Sequence, residues 1–191
     1  MSPRPAVRPG GRSARVRQSV HTAVRELLQE RGRDGLTVPL VAARAGVTPS
    51  TVYRRWGTLR ELLSDVAVER LRPGSPPEDL GSLRADLEGW ATSFAQQTAS
   101  PAGQARLRDT LAGDPDGSNS GRCAAYAAGQ IETILSRAAA RGERAPDAET
   151  VLDHVVAPLV YRALFRQGPP DADGYARSLV ATVLYRLIPL P

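Results

Sequence analysis

An all-α protein is what this sequence predicts, on three observations. Apolar residues recur at helical spacing along most of the chain, no stretch alternates with period two, and breaks rich in proline and glycine cut the pattern into about nine helix-length segments. The architecture expected is a three-helix head containing a helix-turn-helix, followed by a larger helical domain.

Residues 1–12, MSPRPAVRPGGR, hold three prolines, two glycines and three arginines with no apolar periodicity, and are expected to form a disordered basic arm. From Ser13 the stripe Val16, Val20, Ala23, Val24, Leu27 and Leu28 predicts a first helix that stops at Gly32. Thr37 is placed to cap a short helix running to about Ala45, with Pro39 tolerated in its first turn and Gly46 ending it. Thr48 caps another, with Pro49 at the favoured first helical position. A helix over 59–71 is stopped by RPGSPPEDLG, whose three prolines and two glycines mark a candidate domain boundary. Beyond it, helices are expected near 80–98, 102–112, 120–141, 147–167 and 171–188. The chain therefore reads as an arm over 1–12, a head over 13–58, and a larger domain over 59–191 whose first helix, 59–71, connects the two.

Composition narrows the function classes. With 191 residues and 41% hydrophobic content the chain can bury a core without disulfides or metal. Cys123 is the only cysteine, so no intramolecular bridge and no cysteine-based metal site can form, and no cofactor is implied. The two histidines lie far apart, and no phosphate-cradling glycine loop, zinc-ligand spacing or nucleophile elbow is present, which argues against an enzyme. Neither a signal-peptide pattern nor about 18 consecutive apolar residues occurs, so no membrane association is expected and the cytoplasm is the expected compartment. The net charge of +5 is uneven: residues 1–72 carry +8 and the remainder −3, so the first third is the part suited to a polyanion.

The most informative stretch is Leu36–Trp56, LTVPLVAARAGVTPSTVYRRW, two short helices joined by a glycine turn. Ala42 is small where the helices must approach, Gly46 sits where the backbone turns sharply, and Val47 and Val52 supply apolar contacts beneath the second helix. Thr48, Pro49, Ser50, Thr51, Tyr53, Arg54 and Arg55 are left outside, a short face of hydroxyls, one aromatic ring and cations. Such a face fits a major groove, where hydroxyls and Arg meet base edges and phosphates. Trp56 is expected in the core, closing the three-helix unit. Arg12, Arg15 and Arg17 are either contacts to phosphate or to a flanking minor groove, or solvated charges.

The sequence GVTPSTVYRRW, following LTVPLVAARA and an amphipathic first helix, resembles the DNA-binding domain of the TetR family of regulators over about residues 13–60. The later segments VLDHVVAPLVYRALF and GYARSLVATVLYRL are similar in pattern to that family's ligand-binding and dimerisation domain. The resemblance implies that Thr37, Arg44, Thr48, Pro49, Ser50, Thr51, Tyr53, Arg54 and Arg55 lie at or near double-stranded operator DNA, with Tyr53 on backbone phosphate. The sequence departs from the family where many members have Lys in place of Pro49, His in place of Arg55 and Phe in place of Trp56.

The apolar stripes Val151, Val155, Val156, Leu159, Val160, Leu164 and Leu179, Val180, Val183, Leu184, Leu187 are too broad for a monomer to cover. The helices over 147–167 and 171–188 are therefore expected to pair with their symmetry mates in a homodimer, with Pro158 kinking the first or breaking one of its hydrogen bonds. Two recognition helices about 34–36 Å apart would then reach successive major grooves of a near-palindrome. The resemblance further implies a repressor released by a small-molecule effector. Trp90, Phe94, Tyr126, Tyr161 and Phe165 are the aromatic candidates for a pocket wall, His154 and Cys123 the candidate polar contacts, and ordinary core is the competing reading for each. A constitutive or partner-controlled regulator without a ligand is the alternative.

Overall fold

The computed structural model describes residues 11–166 and 171–185. They form α1 (Gly11–Arg31), α2 (Val38–Ala45), α3 (Pro49–Trp56), α4 (Leu59–Leu71), α5 (Leu83–Ala99), α6 (Pro101–Ala112), α7 (Ser118–Ala140), α8 (Ala148–Val151), α9 (Ala157–Phe165) and α10 (Ala172–Tyr185). A π-helical turn over Leu152–Val156 joins α8 to α9, so Ala148–Phe165 is one helical run. No strand occurs among the described residues, as the missing period-two alternation predicts. The arm expected over 1–12 lies, up to residue 10, outside the described residues, whereas Gly11 and Arg12 already belong to the first turn of α1. The ends expected at 167 and at 186–188 also lie outside them.

The chain divides into two compact units, Met1–Val66 and Ala67–Pro191. The division falls within α4, further along than residue 58, because Leu62, Leu63 and Val66 of that helix are buried in the first unit's core. That core is built on Val20, Val24 and Leu27 of α1, Val41 and Ala42 of α2, and Val52 and Trp56 of α3. The fully buried valines and leucines each contribute about 1.5–3 kcal/mol.

Between α2 and α3 the chain turns at Gly46, whose φ is 68°. The Gly46 N–H bonds the Ala43 carbonyl and the Val47 N–H reaches back to the Ala42 carbonyl, so two otherwise orphan carbonyls are satisfied by a Schellman turn. Nothing lies within 4 Å of where a Cβ would stand, so the requirement for glycine here is conformational rather than steric.

In the second unit α10 packs along α5. Their buried faces, Leu83, Leu87, Ala91 and Ala95 with Ala176, Val180 and Val183, join Ile131 and Ile134 of α7 and Val151, Val155 and Leu159 of the α8–α9 run in one core. Arg141 holds the loop before α5 in place, bonding Asp79 at 3.1 Å, the buried Asp86 at 2.9 Å and Glu143 at 2.6 Å. Asp86 in turn accepts the Leu80 N–H and Glu143 accepts the Leu83 N–H, so a charged cluster joins the start of α5 to the end of α7. Pro158 acts as its place inside a helix requires: lacking an N–H, it is preceded by the wide turn in which the Ala157 N–H bonds the Leu152 carbonyl, five residues back.

Candidate nucleic-acid interface and ligand cavity

Thr37 begins α2 and Thr48 begins α3, each from an extended backbone, and their hydroxyl oxygens accept the N–H of Leu40 and of Thr51, both at 3.3 Å. Thr48 also exchanges hydrogen bonds of 2.9 Å with the Ser50 and Thr51 hydroxyls. Pro49 in the first turn costs no hydrogen bond, because that N–H has no partner within a helix. The outcome is a short helix with Val52 and Trp56 buried and with Thr48, Pro49, Ser50, Tyr53, Arg54 and Arg55 exposed, Thr51 being half-buried.

The exposed cations differ in what they touch. Arg54 has no ion-pair partner among the described residues. Arg55 donates to both the hydroxyl and the carbonyl of Ser13, at 2.6 and 3.2 Å, which ties α3 to the start of α1. Arg44 makes a fork of two 2.8 Å hydrogen bonds to Glu30 and a third contact to Glu26 at 3.3 Å. These bonds hold the Glu30 carboxyl below the usual carboxylate range and raise the Arg44 pKa further above its ordinary value. Thus Thr48, Ser50, Tyr53 and Arg54 come together on one open face, while the guanidiniums of Arg44 and Arg55 are engaged within the head. Arg12 and Arg15 are exposed, whereas Arg17 pairs with Asp65 at 3.1 Å.

Behind α3 lies a polar network that sequence reasoning missed. The Asp65 carboxylate of α4 accepts from His21 Nε2 and from Trp56 Nε1, both at 2.9 Å, as well as from Arg17. Two donors on α1 and one at the end of α3 therefore share one acceptor on α4. The departure from Phe to Trp at position 56 was the available signal, because a buried indole N–H needs a partner that a phenyl ring does not.

The second unit holds a cavity of about 810 Å³, within the size range of small-molecule sites. Trp90 and Phe94, stacked at 5.3 Å between ring centroids, line it together with Tyr126, and Cys123 lies on the same wall with its thiol pKa pushed up by burial. Tyr161 and Phe165 do not line it, contrary to expectation. They are 57% and 73% exposed and pack against one another, while Val160 and Leu164, each one residue earlier and so about 100° round the helix, face the cavity. His154 is not on the wall either, its Nδ1 bonding the Thr150 carbonyl at 3.0 Å.

Comparison with known proteins follows the same division. Residues 22–66 match the family model for bacterial regulatory proteins of the tetR family, and residues 77–183 match the tetracyclin repressor-like C-terminal domain. The HTH-type transcriptional regulator AqdR of Rhodococcus erythropolis is 37% identical over 100 residues, covering 52% of this chain and 48% of AqdR, so the match spans about half of that relative. An uncharacterized HTH-type transcriptional regulator of Mycobacterium bovis is 30% identical over 160 residues, 77% of this chain and 75% of its own length. Among solved structures, the TetR family regulator SCO0332 matches with a TM-score of 0.67 and 25% identity over 91% of this chain and 99% of that one. FadR of Thermus thermophilus, a TetR family repressor solved in complex with lauroyl-CoA, matches in fold with a TM-score of 0.64 and 18% identity over 92% of this chain and 96% of its own. With both of its units matched to the two domains of one family, the chain belongs to the TetR family of bacterial transcriptional regulators.

Proposed function

We propose that the protein is a homodimeric repressor that reads a near-palindromic operator with α3 and releases it when a small molecule fills the cavity of the second unit. The observation that carries the reading is the α3 face, where hydroxyls, the 49% exposed Tyr53 and the uncommitted Arg54 stand on a helix locked from behind by Val52 and Trp56. Ser50, Tyr53 and Arg54 make the direct contacts to bases and phosphates. Thr37, Thr48, Pro49 and Thr51 shape that approach. Arg44 and Arg55 lie near the DNA and act mainly by fixing α2 and α3 on α1.

Dimerisation through α9 and α10 has its support in the exposed rings of Tyr161, Phe165 and Tyr185, which form no part of either core. A bound dimer represses by occluding a promoter, and the effector acts by binding two arrangements of the dimer with different affinity. The bacterial cytoplasm is the compartment in which this takes place. The alternative, a constitutive regulator whose second unit is only a scaffold, is disfavoured by the cavity, which a solid helical core would not contain.

Selection of binding sites from random duplex DNA tests the reading. Wild type enriches a palindrome and its affinity falls steeply with salt, while the double variant Tyr53→Ala with Arg54→Ala loses that affinity. Equal binding by both proteins, with no enriched sequence, overturns it.

A further inference from the structure

The cavity is apolar along one stretch and cationic along another. Arg106 projects from α6, beside the buried Leu107, and Arg70 from the last turn of α4, and both residues line the wall. Arg106 Nε is the buried side-chain polar atom that has no hydrogen-bond partner among the described residues. Neither arginine is in an ion pair among the described residues. A buried donor left open costs stability unless something accepts from it, and here the nearest influential charge, Arg70, has the same sign as Arg106. Burial first, and Arg70 second, push the Arg106 pKa down.

The acids on the same wall do not relieve this. Asp86 is already taken by Arg141 and the Leu80 N–H, and Glu78 and Asp153 are exposed, where water screens them. Two arginines on one cavity wall that no carboxylate among the described residues pairs, one of them with a buried Nε–H left unfilled, offer the charge and the donors that an oxyanion requires. The stacked Trp90 and Phe94, with Val160 and Leu164, supply an apolar surface for the rest of a ligand.

We infer that the cavity takes an amphipathic anion, its carboxylate or phosphate head held by Arg106 and Arg70 and its apolar body laid against the Trp90–Phe94 stack. This rests on the reading of the cavity as the effector site and names the chemical class of the effector. On this inference cations and neutral hydrocarbons of the same size bind more weakly than the anion.

Two fluorescent probes of nearly the same shape test it on the full chain. 8-Anilinonaphthalene-1-sulfonate carries an anionic head, and N-phenyl-1-naphthylamine is its uncharged counterpart. Wild type binds both, and Trp90→Ala weakens both, which places them in the cavity. Arg106→Met weakens the sulfonate by about tenfold to a hundredfold, the range for a lost charge-assisted hydrogen bond, while leaving the neutral probe within about twofold. Arg70→Met, on an exposed side chain whose loss leaves the cores intact, shows the same selective loss and reads the result should Arg106→Met fail to fold. Octanoate or octyl phosphate displaces the sulfonate at concentrations at least about tenfold below those octanol needs, and the stronger of the two names the head. If both arginine variants bind the sulfonate as wild type does, the anion is ruled out and the cavity remains a ligand site. If neither probe shows a Trp90-dependent signal, the reading of the cavity as an effector site falls, and this inference with it.

Discussion

Asp65 shows how much of the head depends on single side chains. It gathers His21, Trp56 and Arg17 around one carboxylate, and His21 and Trp56 are 5% and 7% exposed, so water cannot replace the acceptor without opening the core. Asp65→Ala should therefore destabilise the head by about 2 kcal/mol, seen as an earlier urea midpoint, and weaken operator binding by loosening the seat of α3. Asp65→Asn keeps one acceptor oxygen and should fall between the two. Trp56 signalled that some acceptor was needed, but the sequence did not disclose which residues gather there, because they are far apart in the chain and a lone His or Asp has no periodicity to betray its partner. The fork of Arg44 on Glu30 was hidden for the same reason: the residues of a surface ion pair are visible in sequence, their pairing is not. The caps were legible at Thr37, Thr48 and Gly46 because a cap is a local event settled within four residues.

At the scale of elements, the α2–α3 turn and the α8–α9 run set the clearest expectations. Gly46→Ala leaves room for the methyl group but forces an L residue to φ 68°, at a cost of about 1–2 kcal/mol. Thermal unfolding of the head should shift down accordingly, and a loss of affinity larger than that shift would mean the turn also aims α3. The helix at 147–167 was legible from its apolar stripe, and Pro158 announced an irregularity, which takes the form of the π turn over Leu152–Val156. Its aromatic side chains were not legible. Tyr161 and Phe165 were expected on the cavity wall because they are aromatic, yet a helix apolar on more than one side does not tell from sequence which face meets a cavity and which meets a partner. Phe165→Arg, placed on the exposed face, should turn a dimer into a monomer in analytical ultracentrifugation without disturbing the helical content. An unchanged dimer would remove α9 from the interface.

For the whole molecule, acidity is the sharpest lever. Arg44 lowers Glu30, Arg141 and the Leu83 N–H lower Glu143, and the Thr150 N–H lowers Asp147. At Asp114 burial works the other way but is outweighed by hydrogen bonds from Ser120 and Asn119. Each of these groups titrates lower folded than unfolded, so each contributes stability that is present above about pH 4 and lost as pH falls through the folded values. Urea midpoints should hold near neutrality and decline below about pH 4, with Glu30→Gln flattening the part that comes from the head. Charge asymmetry at this scale was legible from the start, since +7 of the +8 carried by residues 1–72 falls on residues 1–66, the unit that carries α3.

The chain has two tryptophans, and the fold places Trp56 in the core of the first unit and Trp90, half-buried, on the cavity wall of the second. Each unit thus carries its own built-in optical reporter. With Trp90→Phe the remaining emission follows Asp65 and α3, and with Trp56→Phe it follows the cavity. Titrating an operator against one variant and a ligand against the other turns the question of whether the two units respond to each other into a pair of spectra, with no label attached.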